Sequence, residues 1–142
     1  MDSMFKFSTE ITVGIGDINY GGHLSNDKYL VIFQEARLRY LQRFGFSEMD
    51  IGDKTSLIMS EAQVKYRAEA FWNEKLRIFV RVTGLDKSRF TFEYMISKRG
   101  EKDVVVATGT TKMVAFDYQN RKVRRLPEIF VTKISEFEKH AK

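Results

Sequence analysis

The sequence has no cysteine. This excludes a disulfide framework, a thiolate zinc site and a cysteine nucleophile. It has one proline, Pro127, and only two histidines, His23 and His140, and no metal-ligand set is read from it. No apolar run approaches the roughly 20 residues that a membrane-spanning helix requires. The N-terminal stretch lacks a basic segment followed by an apolar one, so no signal peptide is expected and the expected location is cytoplasmic. No Walker or Rossmann glycine signature is present, so neither form of nucleotide chemistry is indicated. Linkers, repeats and low-complexity segments are also missing. The 142 residues are therefore read as one domain, 1–142, long enough to bury a core without staples.

The formal net charge is +5. Such a balance suits an anionic partner, or simply solubility. Basic residues are scattered, and only 121–125 is dense, in what reads as a surface turn. A nucleic-acid module needs a basic face with stacking aromatics or a reading helix. Here most aromatics fall on apolar strand and helix faces, which is core placement. No nucleic-acid partner is expected.

Period-two alternation marks the first strand, with Phe5, Phe7, Thr9, Ile11, Val13 and Ile15 on one face. From about residue 25 or 26 to Phe44 the period changes. Tyr29, Phe33, Ala36, Tyr40 and Phe44 form a helical stripe, widened by Leu30, Leu38 and Leu41. Ser25 or Asn26 suits its N-cap, Asp27 its positive first turn and Gly45 its end. Strands follow at 57–67, at Leu76 to Val82, at Phe90 to Ile96 and at 104–116, joined by polar turns that include 98–102. A short hairpin is expected around 117–122. Pro127 opens a last helix carrying Ile129, Phe130, Ile134 and Phe137. Short turns make successive strands antiparallel, and a sheet with one apolar face needs a helix to cover it. The fold class is α+β: a curled antiparallel sheet of five to six strands around one long central helix.

The junction between the first strand and that helix is the segment Gly16-Asp17-Ile18-Asn19-Tyr20-Gly21-Gly22-His23-Leu24-Ser25-Asn26-Asp27. Gly21 and Gly22 permit a sharp turn and a close approach to the main chain. A helix start offers unpaired N–H groups and partial positive charge, which is the logic of an oxyanion hole. The N–H groups of Gly22 and His23 are the nominated donors. Asp17 and Asp27 are carboxylates able to act as base or nucleophile on an acyl carbon. Asn19 could orient a water or a carbonyl. Each piece alone has a plainer account as a turn former, a helix-dipole partner or a loop support. The combined spacing argues for a site.

This spacing, followed by Glu35-Ala36-Arg37 on the helix, resembles the hotdog-fold acyl-CoA thioesterases of the 4-hydroxybenzoyl-CoA thioesterase-like family. The resemblance covers almost the whole chain, including the strand at 56–67, the turn into Phe90 and Pro127. One departure stands out: Asn19 occupies the position where many relatives carry a catalytic Asp. Asp17, the first acid of the motif, is kept, and Ser25-Asn26 replaces the usual pair of asparagines. Asp27 is then the first candidate for the activating carboxylate and Asp17 the second, followed by Glu35, whose plainer role is an ion pair with Arg39, and by Glu61.

The resemblance implies hydrolysis of acyl-CoA or acyl-carrier-protein thioesters to acid and thiol. It implies a site between subunits whose sheets join edge to edge, in a homodimer or homotetramer. No cofactor is implied, coenzyme A entering only as part of the substrate. Its phosphates favour basic groups. Lys87, Ser88 and Arg89, the Tyr66-Arg67 strand end and the Lys98-Arg99 strand end are candidates, with Tyr20 and Asn26 as further substrate contacts. The alternatives are a non-catalytic hotdog dimer that binds acyl thioesters and a hotdog dehydratase, which would have to rely on His23.

Overall fold

A computed structural model describes residues 4–100 and 102–139. His140, and Glu101 of the expected 98–102 turn, lie outside the described residues. The first strand, β1, is Phe7–Thr12, and two short 3-10 turns at Ile15–Asp17 and Asn26–Lys28 lead into helix α1, Tyr29–Arg43. Then come β2 (Ser56–Tyr66), β3 (Lys75–Thr83), β4 (Arg89–Lys98), β5 (Val104–Asp117), the short β6 (Lys122–Val123) and helix α2 (Glu128–Glu138). The sheet order is β1-β3-β4-β5-β2, with β6 on the end of β5. All neighbours are antiparallel. The sheet curls around α1, as the α+β reading expected.

The alternating strands bury the residues that their period marked. Leu76, Ile78, Val80 and Val82 of β3 and Phe90, Phe92, Tyr94 and Ile96 of β4 are all buried. They meet in register, Ile78 opposite Ile96, Val80 opposite Tyr94 and Val82 opposite Phe92. On this floor α1 lays Tyr29, Ile32, Phe33, Ala36, Tyr40 and Leu41. The Phe33 ring stacks on Tyr94 with centroids 4.2 Å apart and planes 6° from parallel. Arg37 is buried as well. Its guanidinium meets the Glu48 carboxylate and stands 3.5 Å from the Tyr94 hydroxyl, which is 2.7 Å from Thr111 Oγ1. A charge in this core is thus paired and hydrogen-bonded, as burial demands.

Several expectations are corrected. Ile15 is 75% exposed, because β1 ends at Thr12 and the chain turns before Ile15 could join its face. Leu30 and Leu38 are partly exposed rather than part of the buried stripe, and Ile129 projects from α2 while Phe130 and Ile134 are buried. No side chain caps α1, whose N-cap residue is Lys28. Gly45 ends the helix at φ 82°, as expected.

Candidate active site

The junction is tied together by its own polar groups. The Gly14 N–H donates to the Asp17 carboxylate at 3.1 Å, so Asp17 caps the first 3-10 turn. The Asp17 carbonyl accepts the Ser25 N–H at 2.9 Å. Asn19 is used three times. Its N–H donates to the His23 carbonyl at 3.0 Å, its carbonyl accepts the Gly22 N–H at 3.0 Å, and its Oδ1 accepts the Gly21 N–H at 2.9 Å. Gly22 turns the chain at φ 86°, a conformation that glycine adopts without steric cost. Leu24 then plunges into the core, and its N–H donates to the Ala70 carbonyl at 2.7 Å. That bond seats the junction on the segment linking β2 to β3.

A cavity of about 360 Å³ opens where these pieces meet. The junction contributes Asn19, His23, Leu24 and Asn26, α1 contributes Tyr29, and the end of β2 with the following segment contributes Tyr66, Arg67, Ala68 and Glu69. Tyr29 and Tyr66 meet edge to face at 4.9 Å, and the Tyr66 hydroxyl donates to the Asn26 carbonyl at 3.0 Å. Burial pushes the Tyr29 hydroxyl pKa upward, and the neighbouring Tyr66 and Glu69 add to it. His23 sets Nδ1 against the Leu24 carbonyl at 3.1 Å and turns Nε2 to the Glu69 carboxylate at 3.5 Å. The N–H groups of His23 and Asn26 have no acceptor among the described residues. Asn26 is the first residue of the 3-10 turn that leads into α1, where partial positive charge gathers.

Of the residues expected at a site, the cavity gathers Asn19, His23, Asn26, Tyr66 and Arg67. The others lie off its wall. Asp17 is engaged by Gly14, and the Gly22 N–H already serves the turn. Asp27 is solvent-exposed and accepts the Ser25 hydroxyl, a hydrogen bond that holds its carboxyl below the usual range. Tyr20 stands out from the loop, fully exposed at 106%. Glu35 pairs with Arg39 at 2.9 Å, and Glu61 with Lys112 at 3.6 Å on β2.

The structure does not bring Lys87, Ser88 and Arg89 to this cavity. Strand β4 begins at Arg89 and ends at Lys98, whose Nζ donates to the Glu69 carbonyl at 2.7 Å. Ten strand residues span roughly 30 Å, at about 3.3 Å each. The basic turn therefore lies at the opposite end of the sheet of the same protomer. Glu69 was not foreseen from the sequence. It follows β2 without any motif around it, and the Leu24–Ala70 bond carries it to the junction.

Among the described residues no group of three or more His, Cys, Asp or Glu is placed to hold a metal ion. No helix among them is long and apolar enough to cross a membrane.

Comparison with known proteins adds a family. The model of the thioesterase-like superfamily matches residues 13–134. YsmA of Bacillus subtilis is 24% identical over 91 residues, 64% of this chain and 60% of that protein, so the match leaves a large part of that relative uncovered. The 1,4-dihydroxy-2-naphthoyl-CoA thioesterase of Synechocystis superposes with a TM-score of 0.82 at 26% identity, over 92% of this chain and 96% of that one. A mutant of 4-hydroxybenzoyl-CoA thioesterase in complex with 4-hydroxybenzoyl-CoA superposes with a TM-score of 0.82 at 13% identity, over 91% of this chain and 98% of that one. At that identity the likeness concerns the fold.

Proposed function

The chain belongs to the thioesterase-like superfamily, with the hotdog fold, and from that premise we propose that it hydrolyses acyl-CoA thioesters to free acid and thiol. The observation that carries this reading is the cavity at the start of α1, walled by Tyr29, Tyr66 and Leu24 and lined also by His23 and Asn26, whose N–H groups have no acceptor among the described residues. A thioester carbonyl directed at the His23 and Asn26 N–H groups would meet donors fixed in place before the reaction. Such donors stabilise the oxyanion that forms when water attacks. The acyl group would lie against the two tyrosines. Arg67, exposed at the cavity rim, suits an anionic group of coenzyme A. The reading calls for no cofactor beyond the coenzyme A of the substrate.

Assembly belongs to the same proposal. Strand β2 pairs on one side with β5 and has no strand on its other side among the described residues. Residues 59–63 of that edge are exposed, and Tyr66 and Arg67 at its end enter the cavity. A second copy pairing along this edge would cover unpaired backbone groups and bring its own residues to the rim. From there Lys87, Ser88 and Arg89 of the partner copy could reach a nucleotide that their own protomer's cavity cannot offer them.

The test is release of thiol from a panel of short, long and aromatic acyl-CoAs. Turnover of at least one is the expected result, and no turnover across the panel sinks the proposal. A second reading is favoured by Asn19, whose Oδ1 is occupied by the Gly21 N–H and which brings no carboxylate. Under it the protein binds acyl thioesters and leaves them intact. Stoichiometric acyl-CoA binding without thiol release would establish that instead.

A further inference from the structure

We infer that Glu69 is the general base of this site and that His23 positions it. The inference rests on the thioester-hydrolase reading and supplies what Asn19 removes from it. Glu69 is the only carboxylate on the cavity wall among the described residues. Asp17 is held by Gly14 at 3.1 Å, and Asp27 lies off the wall with the Ser25 hydroxyl on its carboxylate.

The backbone that carries Glu69 is pinned on both sides. The Lys98 ammonium donates to its carbonyl at 2.7 Å, and the buried next residue, Ala70, accepts the Leu24 N–H at 2.7 Å. That second bond also fixes the register between residues 23 and 69. His23 is oriented as firmly. A carbonyl can only accept, so the Leu24 oxygen at 3.1 Å places a proton on Nδ1. Nε2 faces Glu69 Oε2 at 3.5 Å, and it donates to that carboxylate when the ring carries both protons as an imidazolium. Holding one ring nitrogen to fix the task of the other is how a histidine is assigned its role. One carboxylate oxygen faces the ring, and the other is left for water. The Glu69 side chain is 62% exposed, so water reaches it.

The chemistry closes. Glu69 takes a proton from a water whose oxygen bonds to the acyl carbon, and the carbonyl electrons move onto oxygen beside the His23 and Asn26 N–H groups. The carbonyl then re-forms, the C–S bond breaks, and the departing sulfur takes the proton from Glu69. Water and thioester become carboxylic acid and thiol, and Glu69 returns to its starting state.

The experiment compares wild type with Glu69→Gln, Glu69→Asp and His23→Gln on whichever acyl-CoA of the panel wild type turns over fastest. Glu69→Gln keeps the shape of an exposed side chain and should melt with wild type. Its kcat should fall about 100-fold or more, the contribution typical of a general base, while KM changes little. Glu69→Asp should recover part of the loss. His23→Gln should lower kcat less and shift the acid limb of the pH–kcat profile. If wild type turns over and Glu69→Gln keeps its kcat, the assignment of Glu69 is overturned while the hydrolase reading stands. If wild type turns over nothing, the hydrolase reading fails and takes Glu69 with it. Should Glu69→Gln melt early, the acid limb of Glu69→Asp decides: a shifted limb supports the assignment and an unmoved one overturns it.

Discussion

Gly109 sits near the middle of β5, opposite Tyr94 on one side and Val64 on the other. A Cβ built there would lie 2.4 Å from Cε2 of Phe33, 2.7 Å from Cζ of the same ring and 2.6 Å from the Gln63 carbonyl oxygen. Ordinary contact begins near 3.4 Å, so the ring and the oxygen are each close to 1 Å too near. Neither can yield cheaply. The Phe33 ring is stacked on Tyr94, and the oxygen belongs to the main chain of β2. Overpacking of this kind costs about 1–3 kcal/mol, and a backbone obstacle puts Gly109→Ala toward the upper end. The substitution also stiffens the unfolded chain, which returns about 0.4–1 kcal/mol. The net loss is about 2 kcal/mol, or roughly 4–8 °C in Tm for a chain of this size. Thermal and urea unfolding followed by circular dichroism would measure it. Phe33→Leu removes the ring edge that the new methyl strikes, so the double variant should lose less than the two singles together, by about 0.5 kcal/mol or more. A Gly109→Ala protein that melts with wild type, or a strictly additive pair, would refute the claim that this glycine sets the seat of α1. The seat matters for the site, because Tyr29, one turn before Phe33, lines the cavity.

Arg37→Ala should cost about 3–5 kcal/mol, because it leaves the Glu48 carboxylate without its cation, whereas replacing both partners by methionine should be nearly neutral or stabilising. Urea titrations of the single and double variants would separate these outcomes. At the far end of the chain, Glu138 accepts the Tyr40 hydroxyl and, at 3.0 Å, the Val82 N–H. Burial raises its pKa above the ordinary 4.5, against the pull of those two hydrogen bonds. The folded chain therefore keeps this proton to higher pH than the unfolded chain does. The resulting stability is complete below 4.5 and is lost as pH rises through the folded value. The Tm of wild type should fall relative to that of Glu138→Gln as pH is raised from 4.5, and a constant gap between the two melting curves would count against it.

What could be read from the sequence was whatever a local pattern controls. Strands β3 and β4 were visible because Leu76, Ile78, Val80 and Val82, like Phe90, Phe92, Tyr94 and Ile96, alternate with polar residues and all reach the core. The body of α1 was visible in the Tyr29, Phe33, Ala36 and Tyr40 stripe. Its start was not, because the Ser25 hydroxyl turns to Asp27 instead of capping the helix. The width of its apolar face was overread at Leu30 and Leu38, since the sheet covers only the side that α1 presents to it. The burial of Arg37 depends on Glu48, Tyr94 and Thr111, which arrive from three other parts of the chain. At the site, Asn19, His23 and Asn26 were legible from their spacing and Tyr66-Arg67 from the strand end. The basic turn at Lys87, Ser88 and Arg89 falls at the far end of the sheet from its own protomer's cavity, and composition does not say at which end of a strand a charge falls. Glu69 was hidden for the opposite reason: one backbone bond between Leu24 and Ala70 joins two distant stretches.

The concentration of special residues at the junction then has an explanation that does not require each of them to do chemistry. Asp17 caps a turn, Asn19 ties three strands of the loop's hydrogen bonding, Gly22 supplies the left-handed residue and Ser25 engages Asp27. Their combined effect is a loop whose His23 and Asn26 N–H groups are held in place while remaining unpaired among the described residues. Donors fixed in advance stabilise developing charge without reorganising during the reaction, and that advantage is lost if the loop must first be ordered. An asparagine at position 19 serves this purpose as well as an aspartate would, since the oxygen that accepts the Gly21 N–H is present in both. The loss of the acid therefore leaves the loop intact and removes only its charge. A base supplied from the segment after β2 can restore that charge, because the Leu24–Ala70 bond holds that segment against the same loop.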